Sequence, residues 1–373
     1  MMKIARLVIW LIITLLLIFI ALWMAMGEAR ADLPDVSFPA ENWGIVMVGR
    51  YKNAHLYTAG DAEIREAVHN IDIHWTIGSV NVIGYEGDTV RAYEKTPNET
   101  TDLRLHWYCA DGTLYIQPCA AKRTLKSLSW GEKALTVEVP YSLLSSFQQL
   151  TIDSTSATLS LNGLTANKMV IESTSGDVSI MDSTAAEICI ESTSGNITMN
   201  ETTAADLEID CTSGDVSLQS LTAAALEIET TSGNVTLIDV QSSDLSVDTG
   251  SGDITGNSIV TRTLALDTTS GNALLDGSFE QIEAKSTSGD IQLATNTALS
   301  TLNVDTTSGN VTVRCPQGNG FTLKASSTSG DFESEHALTQ QGKTRICGNG
   351  ESLFEIHTTS GDIRLLKQDT VAD

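Results

Sequence analysis

Aromatic residues are only 5% of this 373-residue chain. So few large rings exclude a thick core filled by aromatic side chains and fit a narrow one layered from Ile, Val and Leu. None of the 6 cysteines forms a C-x-x-C pair, so nothing supports a zinc site or a thioredoxin-like motif. The 6 histidines, His55, His69, His74, His106, His336 and His357, show no H-E-x-x-H spacing. Gly342-Lys343-Thr344 looks like the end of a phosphate loop, but the glycine required five residues earlier is Ala337. Basic residues are scarce: 22 Lys and Arg stand against 47 Asp and Glu, a net charge of −25. Between Ala134 and Thr261 there are 18 acids and a single base, Lys168. A surface of that sign repels phosphate backbones and anionic lipid, which excludes nucleic acid as a partner.

Long apolar runs are also missing, with one exception. Leu7 to Met26 carries no charge and is long enough to span a bilayer. Lys3 and Arg6 precede it, and Glu28, Arg30 and Asp32 follow, so the positive flank stays cytoplasmic and the rest faces outward. The competing reading is a signal peptide cleaved near Ala31, at Ala29-Arg30-Ala31. Signal cores run about 7–15 residues, and the greater length here favours a retained anchor. Both readings make the remainder extracytoplasmic, where disulfides are allowed. Cys109 and Cys119 flank an Asp111-Gly112 turn and are candidates for one. A two-residue turn there, however, sets Cys109 opposite Leu114.

What the chain does have is a repeat. Ser-Gly followed by Asp or Asn occurs with glycines at Gly176, Gly195, Gly214, Gly233, Gly252, Gly271, Gly289, Gly309, Gly330 and Gly361. The first five steps are 19 residues, then 18, 20, 21 and 31. Such a period marks a solenoid. Apolar residues recur two and four after each glycine (Val178 and Ile180, Val216 and Leu218) and five and seven before it (Ile171 and Met169, Ile209 and Leu207). Apolar sites two apart with polar residues between are strand alternation. Each repeat therefore holds two short strands, such as Met169–Ser173 and Asp177–Met181, joined at the T-S-G-[D/N] corner. Glycine there suits a corner of positive φ, and Asp or Asn can bond its own turn. Equivalent strands recur in one direction, so the expected fold is all-β: a parallel β-solenoid of ten or eleven coils. Thr155-Ser156-Ala157 reads as a degenerate first coil.

The expected organisation is 1–31 anchor and flank, 32–150 a capping β region, and 151–373 the solenoid with its C-terminal cap. A solenoid end exposes strand edges and an open core, so a cap is required. Trp75, Trp107 and Trp130 read as the filling of the first cap, with His74 and His106 packing beside them. Glu63–His69 reads as a loop or one helical turn. The 31-residue step between Gly330 and Gly361 reads as an insertion around Gln340–Gly350, with Phe321, Phe332 and Phe354 forming a plug.

Three ladders follow from the alignment. Four before each glycine stand Glu172, Glu191, Asp210, Glu229, Asp248 and Asp267, then Lys285 and Asp305. Like charges directly opposite are destabilising, so this column reads either as a weak divalent-cation or polycation site, since carboxylates suit hard cations, or as a solvated face. One after each glycine, Asp and Asn alternate from Asp177 to Asn310. Charged rungs are thereby separated by about 10 Å. Two before stands a Thr ladder from Thr174, interrupted by Gly250. Carboxylates are so abundant that none is singled out as an acid or base. The reading is therefore no enzyme, no catalytic residue and no cofactor.

Ile71-Asp72-Ile73-His74-Trp75, Gly78-Ser79-Val80-Asn81-Val82 and the serial corners from Thr174 onward resemble a bacterial family of unknown function described as adhesin-like with β-strand repeats. The resemblance covers about four fifths of the chain. It implies a β-solenoid and an envelope location, and it brings no active site with it. The expected function is a non-enzymatic, membrane-anchored, extracytoplasmic solenoid that contacts envelope polymers or proteins multivalently. The alternatives are an envelope-stress sensing component and, further off, a carbohydrate-active enzyme.

Overall fold

The computed structural model describes residues 53–96, 101–120, 133–145 and 147–368, all within one compact unit, Val46–Asp373. The apolar run 7–26, the cleavage site near Ala31 and Trp130 lie outside the described residues. Among those described, no helix is long and apolar enough to cross a membrane. The only α-helix there is four residues long, Tyr141–Leu144.

The described chain is all β, and its coils stack in parallel. Glu191 pairs with Glu172 on one side and Asp210 on the other, and Ile197 pairs with Val178 and Val216. The 19-residue step is thus the spatial register. Alternation does what it predicts: Ile188, Ile190, Ile197 and Met199 are fully buried, and so are their apolar equivalents from Met169 to Leu245. A buried aliphatic side chain of this size contributes roughly 1.5–3 kcal/mol, so four per coil contribute roughly 6–12 kcal/mol against the entropy of ordering it. Cys211 points inward and Cys189 is half-buried on the other face.

The corner glycines are needed for closeness in every coil and for backbone conformation in several. Six of them, Gly214 among them, have φ of 143–159°, which residues with a side chain rarely adopt. A Cβ on Gly233 would lie 2.0 Å from the Gly214 carbonyl oxygen, and one on Gly176 1.8 Å from that of Ala157. The left-handed residues form a second corner. Asp182, Glu201, Ser220, Asp239 and Ser258 have φ of 48–58°. None is glycine, so no turn signal marked this corner in the sequence. The one-residue deletion in the 18-residue step falls here: between Gly256 and Ile259 the register shifts, and Gly277 pairs directly with Ile259.

At both ends, spatial order departs from chain order. Strand Asn70–Tyr85 pairs in parallel with Gln149–Asn162 on one side. On the other it pairs, also in parallel, with Thr113–Gln117 and Ala134–Pro140. The first coil in the chain is therefore second in space, and the parallel stack begins before the repeat motif does. Trp75 is buried in it, and Trp107 packs partly buried against the same core. Antiparallel strands Val90–Lys95 and His106–Ala110 cover the outer coil. The hairpin sets Cys109 opposite Leu114, with Asp111 and Gly112 at φ 51° and 73°. All six cysteines are free thiols. Ala62–Ile64 is a short strand, and the residues from Arg65 to His69 form a loop.

The mirror arrangement closes the other end. Strands Thr301–Ser308 and Val311–Cys315 are followed in space by Ser352–Ser360 and Ile363–Lys367, the last coil of the chain. Gly320–Ser329 and Phe332–Ser334 lie outside that coil. The 31-residue step is thus a return: the chain makes the outermost coil, turns through the hairpin Thr339–Gln341 and Thr344–Gly348, and inserts its final coil beneath. Phe321 stacks on Phe354 across the two coils, ring centroids 4.3 Å apart.

Candidate functional site

The acid column is real and longer than the alignment showed. Glu172, Glu191, Asp210, Glu229, Asp248 and Asp267 occupy successive rungs in direct register. Asp153 adds a rung below Glu172, and His74 lies below Asp153. Above Asp267 come Lys285, Asp305 and His357. The column is thus a run of acids ended by a cation at the top and by an imidazole at the bottom. Two neighbouring columns are also acidic in part: Glu208 pairs with Glu227, and Glu187 with Asp206. Same-parity positions six and eight before each glycine carried that signal in the sequence.

Crowding shows in the acidities. Burial pushes the Asp210 carboxyl up. Glu208 is raised first by burial and then by Asp210, Glu227, Glu191 and Glu187 around it. Cations answer only locally: Lys168 lies 2.5 Å from Glu187, Arg262 2.6 Å from Asp244, and Lys285 2.5 Å from Glu283. Among the described residues, no group of three His, Cys, Asp or Glu is arranged to hold a metal ion. What remains chemically available is diffuse: carboxylates about 5 Å apart along one face, fit for weak repeated contact with cationic groups.

His74 does not pack in the core beside Trp75; it is outward. Its Nε2 is 3.3 Å from Asp72 and its Nδ1 3.1 Å from Asp153 on the adjacent coil. The bond to Asp72 and the charges of both acids raise its pKa against burial. His106 is buried, with Nδ1 2.9 Å from the Arg104 carbonyl.

The Asp/Asn alternation is structural. Each side-chain oxygen accepts the backbone N–H of the next coil's Asp or Asn: Asn196 to Asp177 at 2.8 Å, Asp215 to Asn196 at 3.0 Å, Asn234 to Asp215 at 2.9 Å. Asn234 and Asn272 also donate Nδ2 to the Asp below, at 3.2 Å. The ladder runs on through Asp362 to Asp331, in spatial and not chain order. The Thr ladder from Thr174 is exposed at the same corner, beside the exposed serines. Three before the corner glycines stand small buried hydroxyls in most coils, with Cys211 in one, such as Ser173, which accepts from Gly176 N–H at 3.1 Å. The ten corner glycines are architectural.

The cap holds one fully buried ion pair. The Lys133 ammonium bonds the Glu94 carboxylate, and neither side chain is exposed. Lys133 also donates to the Leu103 carbonyl at 2.7 Å and lies 5.1 Å from the Trp75 ring centre. Glu94 accepts from Leu105 N–H at 2.7 Å. Burial lowers the Lys133 pKa against the pull of Glu94. The partners named here all belong to the cap, so the pair is a structural element.

A fold of stacked parallel coils with serial Ser-Gly corners defines a repeat protein of the β-solenoid class. The chain belongs to the Toastrack family (DUF4097), whose model matches residues 68–236 and 201–366. No curated protein matches it in sequence. Among solved structures, a "putative cell adhesion protein" from Clostridium sporogenes is similar at 12% identity and TM-score 0.20, over 83% of this chain and 100% of the other. A "putative adhesin" from Bacteroides fragilis is similar at 13% identity and TM-score 0.30, over 84% and 97%. Likenesses this distant carry no functional argument.

Proposed function

We propose that the chain is a non-enzymatic, membrane-anchored solenoid on the outer side of a bacterial membrane, which binds envelope polymers or proteins through many weak, identical rungs. The observation that supports this reading is the direct register of the acid column from Asp153 to Asp267. A ligand with regularly spaced cationic groups meets the same contact at every coil. Linked contacts of this kind can raise affinity about 10²–10⁴-fold over a single one. The apolar run 7–26 supports the anchor.

The test is co-sedimentation of the full chain with purified cell-wall fractions, with and without calcium. Retention by a wall fraction that falls in 0.5 M salt is expected, because exposed charge contacts are screened over a few ångströms there. A triple change, Glu191→Gln, Asp210→Asn and Glu229→Gln, should weaken retention by at least tenfold. Failure to bind any fraction refutes the reading. A calorimetric calcium titration with no heat and no rise in melting temperature removes the cation version of it.

A further inference from the structure

The two ends of the stack are finished differently. At the N-terminal end, antiparallel strands cover the outer coil along both of its parts. At the C-terminal end the outermost coil is Gly320–Ser334, and among the described residues only its Gly320–Leu323 part pairs with a covering strand, Arg345–Gly348. From Lys324 to Ser334 the coil pairs, among the described residues, on one side alone. From Gly214 onward, interior coils donate the corner glycine N–H, and the N–H two residues later, to the next coil. Gly309 donates to Ser360 at 3.0 Å and Val311 to Asp362 at 2.9 Å; Gly361 donates to Ser329 at 3.0 Å and Ile363 to Asp331 at 2.9 Å. The equivalent N–H groups of Gly330 and Phe332 have no acceptor among the described residues.

The core is open at the same place. Ala325, Ser327 and Phe332 are only partly buried, whereas their counterparts one coil in, Ile356, Thr358 and Ile363, are 1%, 0% and 0% exposed. The Arg345 guanidinium lies 4.2 Å from the Phe332 ring centre and covers part of that ring, which is still only partly buried. The corner ladder also stops here: Asp331 donates its N–H to Asp362 at 3.0 Å, and its own carboxylate has no following coil to serve. Asp331, Glu333 and Glu335 are all exposed along this edge; Glu333 lies 3.5 Å from Arg364 of the coil beneath, and Glu335 accepts the Lys367 N–H at 2.8 Å.

We infer that this edge is a strand acceptor, which takes an extended, basic segment of a partner protein as one more coil. Backbone carbonyls of the incoming segment would accept from Gly330 and Phe332, and one of its N–H groups would donate to the Asp331 carboxylate. An apolar residue would cover Phe332, and a lysine or arginine would stand beside Glu333. Strand addition of this kind takes its affinity from main-chain bonds and its specificity from alternate side chains. A second copy of the chain fits poorly. Edge-to-edge pairing would bring two sets of Asp331, Glu333 and Glu335 together, and like charges directly opposite are unfavourable. Head-to-tail pairing meets the covered N-terminal end. The inference concerns the end of the stack and stands apart from the reading of its lateral faces.

The probe is a fluorescein-labelled peptide with the sequence of residues 304–313 of this chain, carrying Asp305→Lys and Thr312→Lys. It is titrated against the full chain by anisotropy, with amide exchange measured at saturation. Saturable binding is expected, with exchange at Gly330 and Phe332 slowed by at least tenfold. The same peptide N-methylated at its serine, its asparagine and the lysine at position 312 should bind at least tenfold more weakly, and this control leaves the protein untouched. Glu333→Lys in the protein should weaken binding several-fold. No binding, equal binding of the N-methylated peptide, or unchanged exchange at Gly330 and Phe332 overturns the inference. A concentration-dependent dimer that protects those two amides without peptide also overturns it, because the occupant is then a second copy.

Discussion

Gly233→Ala tests the packing logic of the stack most directly. The new Cβ would lie 2.0 Å from the Gly214 carbonyl oxygen, where ordinary contact begins at 3.4 Å. Relief requires the two coils to part by more than an ångström at that corner. Four hydrogen bonds at that corner are at stake: Gly214 N–H to Ser232 at 3.3 Å, Val216 N–H to Asn234 at 2.9 Å, and Asn234 N–H and Nδ2 to the Asp215 carboxylate at 2.9 and 3.2 Å. Each is worth about 1 kcal/mol net. Residual overpacking adds about 1–3 kcal/mol. The expected loss is therefore up to about 5–7 kcal/mol in the segment containing the corner, read by urea unfolding. Coils couple mainly to their neighbours, so amide exchange should rise most at Val216 and Asn234. Ser232→Ala, exposed one residue away, should change stability by no more than about 0.5 kcal/mol. A Gly233→Ala loss below about 1 kcal/mol would refute the argument that closeness, and not turn geometry, demands glycine here.

Asn234→Asp would place three carboxylates, with Asp215 and Asp253, on consecutive rungs and lose the Nδ2 bond to Asp215. It should lower the melting temperature in 10 mM salt and much less in 0.5 M salt, where exposed charges are screened. His74 has a folded pKa above its ordinary value, so its contribution is full below about pH 6.5 and is lost as pH rises through the folded value. Melting curves of wild type and His74→Asn should therefore differ at pH 5.5 and converge at pH 8.5. Asp210 and Glu208 are raised as well, so for them too the folded state binds the proton more tightly. Mild acidification through their folded pKa values should stabilise the protein, and Asp210→Asn should reduce that gain. Lys133→Met removes the buried partner of Glu94, leaves Arg104 at 3.8 Å as its nearest cation, and should cost up to about 3–5 kcal/mol, measured by urea unfolding.

Much of the fold was legible because two short-range patterns agree. Alternation places Ile188, Ile190 and their equivalents inside without reference to any neighbour. The acid column could be written down in order because a constant step makes alignment and register the same thing. It was cut short at Glu172 because the coil below has Ala157 in place of the corner glycine, which hid Asp153. His74 was misplaced for a related reason. Its nearness to Trp75 in sequence suggested packing, yet adjacent residues of a strand point to opposite faces, and its partner Asp153 is 79 residues away. The second corner carried no sign at all, because Asp182, Glu201 and Ser220 hold left-handed φ without glycine.

The sequence by itself determined the coil: its length, its inner and outer faces, its glycine corner and the excess of negative charge. These are local properties, set by side-chain period and by what the backbone permits. Only the tertiary structure decided which coil lies on which. Repeated coils present the same apolar column and the same row of backbone groups, so pattern alone cannot rank one neighbour above another. The chain's first coil therefore lies second in the stack, and its last coil slides beneath the one before it. That choice leaves Gly330 and Phe332 at an open edge, a property visible in no single repeat.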